Sequence, residues 1–167
     1  MSYTNKICVL DILEDTTADG PGFRTSIYSA GCQHECVGCH NPESWDLNNG
    51  KWIEIDEIMR IIHHHIFADV TFSGGDPFDQ IQGFTQLAEK IKRETAKSIW
   101  CYTGHTFEKI KRTPQFLPIL SFLDVLVDGP FILKKKTQEL PFRGSSNQRL
   151  IDVQLSLKNN RVVTLNR

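Results

Sequence analysis

The sequence predicts an α/β fold on a mainly parallel sheet, and three observations predict it. Short apolar runs that read as strands alternate with segments whose apolar residues recur at helical spacing. The glycine-rich and polar motifs follow directly after those strands, and in parallel α/β folds sites gather at the carboxyl ends of the strands. The chain has 167 residues, too few for eight βα units at about 250 residues. An open partial (βα) barrel fits better, as one domain over residues 1–167, and its open side would face a large partner.

Taken in order, residues 7–10 read as a first short strand. Residues 23–29 alternate imperfectly and read as a second, ending before a cysteine-rich loop. Residues 51–65 carry Ile55, Ile58, Met59, Ile61 and Ile62 as a helical stripe. Residues 69–72 form a short strand that runs into Ser73-Gly74-Gly75-Asp76-Pro77. A helix follows with Ile81, Phe84, Leu87, Ala88 and Ile91 on one face. Residues 98–102 are a strand ending at Thr103-Gly104. A short helix over 106–112 is broken by Pro114, and a second runs through Phe122. Residues 124–127 are a strand ending at Asp128-Gly129-Pro130, and residues 150–153 a last one. Four strand-end motifs therefore point one way: residues 31–41, residues 73–76, Thr103-Gly104 and Asp128-Gly129.

Composition sets the class. Hydrophobic residues make up 40% and charged residues 23%, ordinary for a soluble globule. A domain of this size buries roughly 70% of its unfolded surface and folds without staples. Net charge is −1, so no global field recruits nucleic acid or a membrane surface. No apolar stretch approaches ~20 residues, and the N-terminus lacks the regions of a signal peptide. Five cysteines is an odd count, three of them crowded too tightly for a disulfide framework, which favours the cytoplasm. Cys8 and Cys101 lie in strand-like runs and read as small buried hydrophobes.

The remaining three, Cys32, Cys36 and Cys39, form C-x3-C-x2-C within Gly31-Cys32-Gln33-His34-Glu35-Cys36-Val37-Gly38-Cys39-His40-Asn41. Soft thiolates select iron–sulfur clusters, zinc or copper(I). An electron-carrying cluster takes four cysteines. Three leave one iron open, and an open metal position is where chemistry happens. The bland alternative is a structural zinc with His34 or His40 as fourth ligand.

C-x3-C-x2-C resembles the signature of the radical S-adenosylmethionine (SAM) enzymes. Asp19-Gly20-Pro21-Gly22-Phe23-Arg24 before Gly31-Cys32, and His40-Asn41 after Cys39, look like the subgroup that activates glycyl-radical enzymes. The run Phe142-Arg143-Gly144-Ser145-Ser146-Asn147-Gln148-Arg149 is similar to runs in activases of anaerobic ribonucleotide reductase. The resemblance covers roughly residues 19–152. It implies a radical SAM-type barrel, with a [4Fe-4S] cluster on Cys32, Cys36 and Cys39 and SAM on the open iron. It further implies an external one-electron donor, such as a flavodoxin or ferredoxin. The product would be a glycyl radical on the catalytic subunit of anaerobic ribonucleotide reductase.

The resemblance also assigns SAM contacts to Gly74, Gly75 and Asp76, and to Gly38, Cys39 and His40. Many radical SAM enzymes carry an aromatic residue before the last cysteine. Here Gly38 leaves only backbone for any adenine contact. The plainer account of Asp76-Pro77 is a helix cap followed by a starting proline. Asp128 or Thr103 could equally face SAM or be buried turn positions, and Arg143 could pair with an anion of SAM or partner. Arg24 receives no role. Lys134-Lys135-Lys136 reads as a solvated loop, and the histidines at 63–65 suit a helix C-terminus. Two alternatives stand beside the main expectation: activation of another glycyl-radical enzyme such as pyruvate formate-lyase, and a non-enzymatic zinc or electron-transfer module.

Overall fold

A computed structural model describes residues 5–166. Its seven strands are β1 (Lys6–Thr16), β2 (Arg24–Ser29), β3 (Lys51–Glu54), β4 (Asp69–Gly74), β5 (Ile99–Tyr102), β6 (Val125–Asp128) and β7 (Arg149–Asp152). The helices are α1 (Ile55–His64), α2 (Ile81–Glu94), α3 (Phe107–Lys111), α4 (Leu117–Leu120) and α5 (Val153–Asn159). The strands form one sheet in the order β3-β1-β2-β4-β5-β6-β7.

This corrects the expected open partial (βα) barrel of the radical SAM type. The sheet is mixed: β2–β4, β4–β5 and β5–β6 pair in parallel, whereas β1–β2, β1–β3 and β6–β7 pair antiparallel. β1 turns straight back into β2 as a hairpin, which needs no helical crossover. β7 returns antiparallel on the far edge. Helices are few, and they do not ring the sheet. The parallel portion is confined to its four central strands, so the sheet stays open with antiparallel edges.

Side-chain parity shows how the faces differ, since neighbouring residues of a strand point to opposite sides. On one face Ile27, Val70, Phe72, Ile99, Cys101, Leu126 and Ile151 join the apolar sides of α1 to α4 in one core. α1 contributes Ile58, Met59 and Ile62, and α2 contributes Phe84, Leu87, Ala88 and Ile91, the i, i+3, i+4 stripe of a helix lying on a sheet. Each fully buried Phe or Ile contributes roughly 1.5–3 kcal/mol. The other face carries Trp100, Val125, Val127 and Leu150, covered by Phe142 and Leu165 from loop and tail. It needs less helix because polar residues, Arg24 and Thr71 among them, occupy its centre.

Cys8 and Cys101 are both fully buried, matching their reading as small buried hydrophobes. Among the described residues, no helix is long and apolar enough to cross a membrane.

Candidate functional site

Because β2, β4, β5 and β6 run parallel, their carboxyl ends share one edge of the sheet. The segments after them converge on a cavity of about 320 Å³. Cys32, Cys36, Cys39 and His40 line it from the loop after β2. Ser73, Gly74, Gly75 and Asp76 line it at the end of β4, Thr103 and Gly104 after β5, and Gly129 and Phe131 after β6. The four strand-end motifs thus meet at one place.

The cysteine loop is held at its base, where Gly31 N donates to Ser44 O (2.7 Å) and Cys32 N to Trp45 O (3.3 Å). It reverses at Glu35 (φ 45°) and Gly38 (φ 78°), and Cys39 N donates to Cys36 O (3.1 Å). Gly38 takes the left-handed region at no steric cost. A Cβ there would meet Leu133 Cδ1 at 2.8 Å, so Leu133 lies against the loop. All three thiols are unpaired and half-buried. Burial pushes the Cys32 thiol up to about 11, so a metal must displace its proton. Asn41 N lies 3.4 Å from Cys39 Sγ and points a donor at it. Three soft donors on one loop, free of disulfides and facing a cavity, fit a cluster with three protein ligands.

Asp76 is the best-connected side chain of the site and is 1% exposed. Its Oδ1 accepts from Phe78 N (2.9 Å), the cap expected ahead of Pro77. Its Oδ2 accepts from Thr103 Oγ1 and Gly104 N (both 2.9 Å) and pairs with His34 Nε2 (2.7 Å). That bond raises the His34 pKa against the opposing effect of burial. It also engages His34 Nε2 with a carboxylate of the strand end. His40 instead lies tilted against Phe131, ring centroids 5.2 Å apart.

The two glycines before Asp76 are dictated by backbone packing. A Cβ on Gly74 (φ 91°) would sit 2.4 Å from Ser29 N, and one on Gly75 would sit 2.2 Å from Gly31 O. The β4 end is therefore pressed against the start of the cysteine loop. Gly75→Ala is expected to destabilise the fold by about 1–3 kcal/mol, the range for overpacking, and to widen the cavity edge. Denaturant unfolding of the variant checks it; an unchanged midpoint would contradict this packing.

Sequence reasoning missed three contributors. Arg24, 1% exposed, donates to Thr71 Oγ1 (2.6 Å), Val70 O (2.8 Å) and Pro21 O (3.2 Å), with its guanidinium 5.4 Å from the Trp100 ring centre. Tyr28 and Tyr102 line the cavity, and the Tyr28 hydroxyl donates to the Asp19 carboxylate. Burial raises the pKa of both phenols. Strand parity would have found Tyr28, which shares a face with Arg24 in β2.

Two expected candidates turn out to be tied up within the protein. Asp128 is buried and accepts from Phe107 N (2.8 Å) and from Arg149 Nε (3.0 Å) and Nη2 (2.5 Å). Arg149 also binds both oxygens of Glu108, and these two carboxylates raise its pKa. In the 142–149 run, Gln148 Oε1 accepts from Gly144 N (2.9 Å) and Ser145 N (3.1 Å), while Asn147 Nδ2 donates to Pro130 O (2.7 Å). The run is thus the clamp that holds the Gly129 and Phe131 wall. Arg143 Nε donates to Pro141 O (3.3 Å).

Comparison with known proteins gives the family. A family profile described as a 4Fe-4S single cluster domain matches residues 18–151, which include all three loop cysteines. A protein of Enterobacteria phage T4 named anaerobic ribonucleoside-triphosphate reductase-activating protein is 34% identical over 138 residues, 79% of this chain and 85% of its own. A protein of the same name from Vibrio cholerae is 34% identical over 143 residues, 78% of this chain and 88% of its own. Its counterpart in Escherichia coli K12 is 33% identical over 139 residues, with the same shares. The chain belongs to the family of anaerobic ribonucleoside-triphosphate reductase-activating proteins.

Proposed function

We propose that this chain activates the catalytic subunit of an anaerobic ribonucleotide reductase by radical SAM chemistry, with a [4Fe-4S] cluster on Cys32, Cys36 and Cys39. The observation that carries this is the meeting of the three free thiols with the Gly74-Gly75 strand end in one open cavity. At about 320 Å³ the cavity lies within the usual range of small-molecule sites, about 300–1,000 Å³. Bound there, the cluster and SAM would supply the one-electron chemistry of reductive sulfonium cleavage that glycyl radical formation on the partner needs.

The protein's own part is binding, orientation and shielding. Cys32, Cys36 and Cys39 would hold the cluster through their thiolates, one ligand short of the four cysteines of an electron-carrying cluster. Gly74, Gly75, Gly38 and His40 line or border the space for SAM. The Asp76 carboxylate, filled by four protein donors, contributes by holding that space in shape. Tyr28 and Tyr102 wall its inner side. The partner's glycine must arrive from outside, because the cavity opens to solvent at the loop edge. The electron would come from an external donor such as a flavodoxin or ferredoxin, as the family resemblance implies.

The test is anaerobic. The full chain is reconstituted with iron and sulfide, reduced, and supplied with SAM. The expected result is 5′-deoxyadenosine, and with the reductase subunit present a glycyl radical signal. Tightly bound zinc with no product would overturn the proposal.

A further inference from the structure

We propose that His34 is a positioning residue. It locks the cysteine loop onto Asp76, so that the cluster ligands and the Gly74-Gly75 strand end keep one fixed spacing. The inference rests on the function proposed above and names how that site is held together.

Asp76 joins three chain segments. Its backbone N donates to Gly31 O (3.0 Å), at the start of the cysteine loop. Its carboxylate takes Phe78 N after β4, Thr103 Oγ1 and Gly104 N after β5, and His34 from the middle of the loop. His34 stands between Cys32 and Cys36, so its ring reaches inward from the segment that carries the thiols. The ring is also fixed sterically. A Cβ on Gly104 would lie 2.6 Å from His34 Cδ2 and 2.7 Å from Nε2. His105 packs edge-on against it at 4.6 Å between ring centres. One residue earlier, Gln33 N donates to Asp79 Oδ2 (2.9 Å). The loop is thus pinned at positions 33 and 34 to the segment after β4, through side chains 42 and 46 residues away in sequence.

Beyond its base and Gln33, the loop reverses at two left-handed residues, and His34 is the side chain that ties its middle to Asp76. A shift of about 1 Å in a positioning element can cost about 10²-fold in rate. Gly104 has the role of leaving room for the ring, which explains a glycine there despite its ordinary φ.

The experiment uses the full chain in two arms. Hydrogen–deuterium exchange in the absence of SAM reads loop anchoring. Equilibrium dialysis of SAM against the reconstituted protein reads the seat itself. His34→Ala is expected to speed exchange in residues 31–41 and to weaken SAM binding by about tenfold, the low end of what loss of an orienting partner costs. It should leave iron content at the wild-type level. His34→Gln places an amide donor where Nε2 stands and should recover most of both losses. Gly104→Ala, which crowds the ring from the other side, should reproduce the His34→Ala defect. The double variant should be no worse than His34→Ala alone, because coupled neighbours are not additive.

Unchanged exchange and unchanged SAM binding in His34→Ala would overturn the inference. So would loss of iron in both His34→Ala and His34→Gln, which would make His34 a ligand. Failure of the wild-type protein to bind SAM would strike the proposed function instead. The exchange arm would still decide whether His34 anchors the loop.

Discussion

Cys36→Ala is expected to abolish SAM cleavage and to leave the iron-free fold standing. Cys36 lies between Cys32 and Cys39 on the loop, half-exposed to the cavity, with no disulfide to lose. Its thiol makes no contribution to either apolar core. Substitutions of this kind change stability by about 0.5 kcal/mol or less. The functional effect is of another order. Loss of an orienting partner outside the ligand shell already costs about 10–100-fold in metal affinity or activity, and removal of one of three thiolates must cost more. Cys101→Ala gives the opposite pattern. Cys101 sits fully buried in the helix-side core, so its loss should lower the melting temperature with iron content unchanged. Iron and acid-labile sulfide per chain, 5′-deoxyadenosine yield, and a thermal melt of the iron-free protein separate the two. A Cys36→Ala protein that keeps its iron and full cleavage would remove the thiolate triad from the mechanism.

The contrast explains what could be read in advance. The cysteine loop was legible because its chemistry lies in consecutive residues, and the strand-end motifs because composition marks turns. Strand direction was not, because periodicity reports which face a residue occupies and is silent on polarity. Nothing in residues 150–153 marked β7 as antiparallel to β6, and the expected barrel did not form. The second half of β1 carries Asp11, Glu14 and Asp15, so its apolar signal stops while pairing with β2 continues to Thr16. β3 was absorbed into the helical stripe because Ile53 and Ile55 continue across the boundary where α1 begins. The bonds that organise the site span long stretches of chain: His34 to Asp76, Gln33 to Asp79, Arg24 to Thr71. No local pattern announces such a contact, and a lone arginine in a strand ordinarily reads as exposed.

Arg24→Met shows what that last omission costs, with an expected destabilisation of about 2–6 kcal/mol from two buried acceptors left without a donor. Methionine fills most of the volume and donates nothing. Val70 O and Thr71 Oγ1 would lose their donors inside the sheet, and each buried polar group left unmade costs about 1–3 kcal/mol. The consequence reaches the cavity through a short relay. Thr71 Oγ1 donates to Asp19 O (2.9 Å), and the Asp19 carboxylate accepts the Tyr28 hydroxyl at the cavity wall. Gly20 belongs to the same relay, since a Cβ there would lie 2.7 Å from Arg24 Cδ and its φ of 142° disfavours any side chain. Arg24→Lys is the informative companion, because one ammonium cannot reproduce donors that leave a planar guanidinium in fixed directions. It should recover only part of the loss. Denaturant midpoints of the iron-free proteins, measured with SAM dialysis after reconstitution, test the relay. A stable Arg24→Met protein with wild-type SAM affinity would show that the Asp19 segment holds the cavity wall without it.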